Sequence, residues 1–342
     1  MTQTPPPATE APAAAPGGRR PLPPLARLVG MSAGLGAILV LLLAVFILPS
    51  LKSGAHDLPI GIVGEASATA ALEEAVTATA PDAYDVERLA SRDALADAVR
   101  DREVVGGFVV TDDGLEALVA SAGSPAISAT LGATATAVGE TAGTEVTLTD
   151  IVPLPEADPT GIGIGGLAFP LVFGGIVPVV AFGAIFPRST RWRLAGLAGF
   201  ALLGGLLVAA VLRFWFGSIE TGFWPVAGSM ALGIGALAFP LAGLKQLLGG
   251  KGFTIGAMTM MFLGNPLAGI ATTGAWLPSG LGAFGQVLPP GAAGALVRSS
   301  AYFGGAGGLV PGLTLLAWIL VGLALYTVGT RPAAARSAAA DA

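Results

Sequence analysis

The residues able to do chemistry are few and poorly grouped. The chain has one histidine, His56, and no cysteine, which leaves neither a His cluster nor a thiolate set to hold a metal or relay protons. Adjacent carboxylates stand at Glu73 with Glu74 and at Asp112 with Asp113. Such pairs could serve acid–base catalysis, but a solvated helix face or turn accounts for them in charged stretches of this kind. Gly161 to Gly166 (GIGIGG) fits the letters of a dinucleotide fingerprint, yet it opens an apolar run without the preceding strand that gives the pattern meaning. Gly249-Gly250-Lys251-Gly252 is the nearest match to a phosphate-binding loop. It lacks the glycine five positions before Gly250 and the Ser or Thr after Lys251 that would hold magnesium. No catalytic, cofactor, metal or nucleic-acid motif is read, and the chain is expected not to be an enzyme.

The elements around these residues are of two kinds. The chain is 342 residues long, 53% hydrophobic and 11% charged, with a mean hydropathy of +0.76; soluble domains carry about 25% charged residues. The charge is unevenly placed: residues 51–163 hold 19 Asp/Glu against five Lys/Arg, and the remainder holds three acids against twelve bases. Residues 51–163 therefore read as a water-exposed domain inside a membrane protein. Within it β-rich and helical runs alternate: Leu58 to Val63, Ser67 to Thr79, Tyr84 to Leu89, Ser91 to Arg102, Val104 to Thr111, Leu115 to Ser121, Pro125 to Gly139 and Thr144 to Val152. This predicts a small α/β domain with a mixed sheet.

Residues 1–29 form a Pro/Ala-rich tail too poor in burial potential to pack. An uncharged run at 30–50 is long enough for a hydrocarbon core of about 30 Å, either as an uncleaved anchor, which is preferred, or as a signal peptide. Between 164 and 330 five further apolar runs are drawn: Ile164 to Phe186, Leu194 to Phe216, Pro225 to Leu244, Phe253 to Ala271 and Leu309 to Gly329. A short tail, 331–342, follows. The fold expected is an α-helical polytopic membrane protein of six transmembrane helices, with an extracytoplasmic α/β domain inserted between helices 1 and 2. Arg19, Arg20, Arg27, Arg188, Arg191, Arg193, Lys245, Lys251, Arg331 and Arg336 fall on one side of such a topology. The positive-inside rule puts that side, with both termini, in the cytoplasm of a plasma (inner) membrane protein. The span interiors lack ionisable residues apart from Arg213 and Lys245 near their ends, which argues against proton-coupled pumping.

Residues 272–308, between the last two runs, form an outer loop whose only charge is Arg298. Trp276, Phe284, Tyr302 and Phe303 are interrupted there by Pro278, Pro289 and Pro290. So apolar a loop is either a re-entrant hairpin closing the outer end of the bundle or a pair of interfacial helices. Trp276, Phe284, Pro289, Pro290 and Arg298 are the candidate outer gate.

Several phrases together resemble the ABC-2 type permease family, and within it the YhgE/Pip-like membrane proteins. They are Leu58 to Val63 after the first span, Arg92 to Val110, Val152-Pro153-Leu154-Pro155 with Asp158-Pro159, and Val287 to Ala292 with Arg298 and Tyr302-Phe303. The resemblance implies a permease subunit in membrane lipid, paired as a homodimer or with a related permease, and driven by a separate ATPase. That ATPase would dock on Pro187 to Arg193, where Arg188, Arg191, Trp192 and Arg193 are the candidate coupling residues; the segment is shorter than the coupling helix of such permeases. The expected function is export or efflux of an apolar or amphipathic substrate. The alternative is a non-transporting envelope protein whose outer domain is a docking surface for a secretion apparatus, a wall polymer or a phage.

Overall fold

The computed structural model describes residues 23–111, 114–278 and 280–340, with side chains described except at 50 and 331–340. Most of the Pro/Ala-rich tail (1–22, with Arg19 and Arg20), the pair Asp112 and Asp113, residues 341–342 and the side chains of Arg331 and Arg336 lie outside the described residues.

The chain divides into two compact units, one up to Ala44 and one from Val45 onward. The first contains most of helix α1 (Pro24–Leu51). Its leucines and valines are exposed along its length, the pattern of a helix apolar all round rather than amphipathic.

The second unit begins with an α/β domain: β1 (Leu58–Val63), α2 (Ala66–Thr79), β2 (Tyr84–Arg88), α3 (Arg92–Arg100), β3 (Gly107–Thr111), β4 (Gly114–Val119), α4 (Pro125–Ala142) and β5 (Val146–Asp150). The strands form one mixed sheet in the order β2-β1-β3-β4-β5. β1 runs parallel to β2 and β3, with Ile60 opposite Val86 and Ile62 opposite Phe108; β3 and β4 are antiparallel, and β4 and β5 parallel. Helices cover both sheet faces, so the central strands are near-continuous apolar runs instead of alternating ones. Ile60, Ile62 and Phe108 are buried with Leu72, Val76 and Leu131 of α2 and α4. Val63, Val109 and Leu118 are buried in a second cluster with Leu95 and Val99 of α3. Serine side chains cap two of the helices: Ser91 Oγ accepts from Ala94 N at 3.1 Å and Ser124 Oγ from Ile127 N at 3.4 Å.

A helical bundle follows: α5 (Ile162–Gly165), α6 (Ala168–Ile185), α7 (Thr190–Ala210), α8 (Phe223–Thr259), α9 (Leu281–Val287), α10 (Pro289–Tyr302) and α11 (Leu309–Ala340), with π turns at Val211–Trp215 and Met260–Gly264. Five helices among the described residues are long and apolar enough to cross a membrane: Pro24–Pro49, Ile162–Ile185, Thr190–Trp215, Phe223–Gly264 and Leu309–Thr330. Two of the six expected runs, Pro225 to Leu244 and Phe253 to Ala271, fall together on the fourth. That helix is broken at Gly249, whose φ of 70° and ψ of −156° are not helical. Its arms fold back on each other, since a Cβ on Gly256 would lie 2.7 Å from Leu244 Cδ1 and 2.9 Å from Leu241 Cδ2. In a straight helix Leu241 and Gly256 would stand about 22 Å apart. The second arm ends at Gly264 instead of Ala271, because Pro266 supplies no amide and Gly269 takes a left-handed φ of 60°.

The segment at 272–308 is more ordered than a loop. After a 3₁₀ turn at Gly274–Trp276 it forms the helical hairpin α9–α10. α10 is buried over most of its length between α8 and α11. A Cβ on Gly233 would lie 2.7 Å from Ala293 Cβ, so α10 reaches about 15 Å along α8 from its start at Phe223. Pro289 and Pro290 occupy its first turn, where the missing amides have no intrahelical partner to lose.

Candidate functional site

The most organised polar structure lies where the bundle meets the α/β domain, around the last turns of α10. Between Asn265 and Thr273 the backbone is irregular, and buried carbonyls outside a helix need other donors. Gln286 Nε2 donates to Ala268 O at 3.0 Å, and Arg298 Nη2 donates to Ile270 O at 2.7 Å. Arg298 Nη1 donates to Thr272 O and, at 2.6 Å, to Gly123 O of the α/β domain. One guanidinium therefore satisfies two carbonyls of the unwound segment and fastens the domain to them. Arginine suits this position because its planar fork presents several donors at fixed angles. The residue is 7% exposed, and a guanidinium keeps its charge even when buried.

The neighbours of Arg298 on α10 make similar bonds. Ser299 Oγ donates to Ala306 O at 2.7 Å, Ser300 Oγ and Ser229 Oγ share a bond of 2.8 Å, and Tyr302 Oη donates to Ser218 O at 2.8 Å. Two aromatics extend the junction upward. Trp276 packs against the cluster containing Leu58 and Ile127, and its carbonyl accepts from Gly54 N at 3.1 Å. Phe303 packs against the cluster containing Val99 and Ala120, with the Arg102 guanidinium 5.1 Å from its ring centre. Arg102 sits in the turn after α3 with a left-handed φ of 64°, and burial lowers its pKa. It and Arg298 line a cavity of about 300 Å³ with Gln286, Thr273, Pro311 and Thr314.

An apolar groove of about 620 Å³ runs between α5–α6 and α7, lined by Leu167, Pro170, Leu207, Val211 and Phe216, with Asp158 and Ser218 among its few polar residues. The Asp158 carboxylate accepts from Ile162 N at 2.9 Å and Gly163 N at 2.8 Å. It is thereby the cap of the glycine-rich stretch that resembled a dinucleotide loop, and this stretch is a helix start here.

The candidate residues are not all brought together. Trp276 and Arg298 meet at the junction, and Pro289 and Pro290 are buried at the opposite end of α10. Phe284 is 50% exposed on α9. At the far end of the bundle Arg188, Arg191 and Trp192 are exposed. Arg193 turns inward, where Nη1 donates to Gln246 Oε1 at 3.3 Å and the guanidinium lies 5.8 Å from the centre of the Tyr326 ring. Lys245 is nearby, 5.5 Å from the centre of the Phe253 ring. Arg213 also turns inward, its Nη1 donating to Ile219 O at 3.0 Å instead of extending outward. Sequence reasoning missed Gln286 and Arg102 as junction residues. Gln286 had a signal as the lone amide side chain of an apolar loop; Arg102, between Asp101 and Glu103, looked like ordinary solvated surface. A scan against protein-family models and searches of curated proteins and of solved structures return no match for this chain.

Proposed function

We propose that the chain is a six-span plasma-membrane permease subunit of an ABC-2-like export system, with the α/β domain outside, both termini in the cytoplasm and a separate ATPase as motor. The broken α8 supplies two of the six crossings in this reading, each arm going once through the bilayer. The observation that carries it is α10, the second arm of the α9–α10 hairpin, buried inside the bundle and joined to the outer domain by Arg298. A re-entrant hairpin of this kind, with its non-helical backbone satisfied by protein donors, is how an outer gate can exist at membrane depth. The apolar groove of about 620 Å³ beside α6 and α7 is of the size that takes an apolar or amphipathic molecule.

The test is affinity purification of the full chain in a gentle detergent. An ATPase is expected to co-purify, and its deletion is expected to abolish the export phenotype. A chain that purifies alone, with a phenotype indifferent to the ATPase, would sink the proposal.

One observation favours the second reading, an envelope docking protein. The candidate coupling segment, Pro187 to Arg193, is a short turn that runs into the first residues of α7, and Arg193 is engaged inside the bundle. That leaves little for a motor to grip. On this reading a chain lacking α6 to α11 keeps its activity, whereas export requires the whole bundle.

A further inference from the structure

Arg102 and Arg298 face one cavity from opposite sides of the junction, Arg102 from the α/β domain and Arg298 from α10. Among the described residues neither guanidinium has a carboxylate within 4 Å; the ion pairs there belong to Arg88, Arg92 and Arg100. Asp101 and Glu103, beside Arg102 in the chain, are exposed. Asp158, the acid whose charge acts on Tyr302, is committed to two backbone amides. Buried charges are ordinarily paired, and here two cations share a cavity of about 300 Å³. Arg298 spends Nη1 and Nη2 on carbonyls, and its Nε has no partner among the described residues. Arg102 makes no side-chain hydrogen bond there, only its approach to Phe303.

We propose that this cavity is a binding site for a phosphate oxyanion, held by Arg102 and the free edge of Arg298 with Thr273 as an additional hydroxyl donor. Guanidinium groups match phosphate oxygens in geometry and charge. The first turn of α11 forms part of the wall, and Leu309 and Val310 there are exposed apolar side chains. A phosphate presented by a lipid headgroup could therefore enter beside α11, as could free phosphate from solvent. The site does not depend on whether the chain exports anything.

The test uses the full chain in neutral detergent, with inorganic phosphate as one probe and dioleoylphosphatidylglycerol in mixed micelles as the other. The readout is the thermal unfolding midpoint followed through tryptophan fluorescence. At least one probe is expected to raise the midpoint in a saturable way. Stabilisation by both identifies the oxyanion itself as the ligand, and stabilisation by the lipid alone identifies a headgroup. Arg102→Gln is expected to weaken the apparent affinity about tenfold, the loss of one charged hydrogen-bond donor, while leaving the carbonyl bonds of Arg298 in place. Arg102→Lys should recover part of it. Arg88→Gln, the same charge change on an exposed surface, should bind as the unaltered chain does. Thr314→Trp fills the cavity from α11 while both arginines stay in the sequence, and it should abolish the stabilisation. No stabilisation by either probe, or an unchanged response in both Arg102→Gln and Thr314→Trp, would overturn the proposal.

Discussion

The two ends of the bundle are built on different principles. At the end that carries the α/β domain, irregular backbone, a buried arginine and two aromatics are joined by bonds between residues far apart in sequence; Arg298 and Gly123 are separated by 175 positions. At the other end α6 and α7 meet through a short turn, α8 folds back at one glycine, and Arg188, Arg191 and Trp192 stand exposed. The first end depends on tertiary contacts and has the polar network a gate or recognition site needs. The second depends on local backbone geometry and on surface charge. Substitutions should therefore act cooperatively at the first end and locally at the second.

The largest effect is expected from Arg298→Leu. It leaves the carbonyls of Gly123, Ile270 and Thr272 buried without their donor, and each orphaned group costs about 1–3 kcal/mol. Loss of at least about 3 kcal/mol in denaturant unfolding of the detergent-solubilised protein is expected, with Arg298→Lys intermediate. A loss under about 1 kcal/mol would remove the distinction between the two ends. Trp276→Ala should follow, at about 2 kcal/mol for a large, partly buried side chain, and should expose the α/β domain to proteolysis at its bundle side. Gly249→Ala tests the other end: the backbone there lies in a region open essentially to glycine alone, so a cost of about 1–3 kcal/mol is expected. That loss should leave the proteolytic stability of the α/β domain unchanged.

The smallest effect concerns pH. Arg92 donates to both Glu116 oxygens at 2.7 Å, and Thr149 Oγ1 donates to Oε1 at 2.7 Å. The Arg92 hydrogen bonds, aided by Thr149, hold the Glu116 carboxyl below the usual carboxylate value. A depressed pKa adds stability that is fully present above the unfolded-state value and is lost as pH falls through the folded one. The Arg92→Ala protein should thus be less stable than the unaltered chain at neutral pH by at most about 1 kcal/mol. The two should converge in acid, as unfolding curves taken from pH 7 down to pH 3 would reveal.

Much of this architecture was legible in the residues. Periodicity reports the face an element buries, so the runs at Leu58 to Val63 and Tyr84 to Leu89 became strands, and Ser91 marks a helix start because a cap is local chemistry. The apolar 272–308 segment was abnormal for a solvated loop, and its lone charge is the residue at the centre of the junction. The strand order was not legible, because pairing is decided between elements. The fold-back at Gly249 was hidden among 51 glycines. Arg102 was hidden for a related reason, since nothing near it in sequence marks Phe303 or Arg298 as its neighbours.

The sidedness of the two ends can be measured directly, because the chain has no cysteine of its own and single substitutions can be labelled without background. Thr141→Cys lies on the exposed surface of the α/β domain, Arg191→Cys at the start of α7 and Lys251→Cys just after the fold in α8. With a membrane-impermeant maleimide on intact cells, Thr141→Cys is expected to label at once, and Arg191→Cys and Lys251→Cys only after permeabilisation. Labelling of Lys251→Cys from outside, or protection of Thr141→Cys, would contradict a bundle that α8 crosses twice beneath an outer domain.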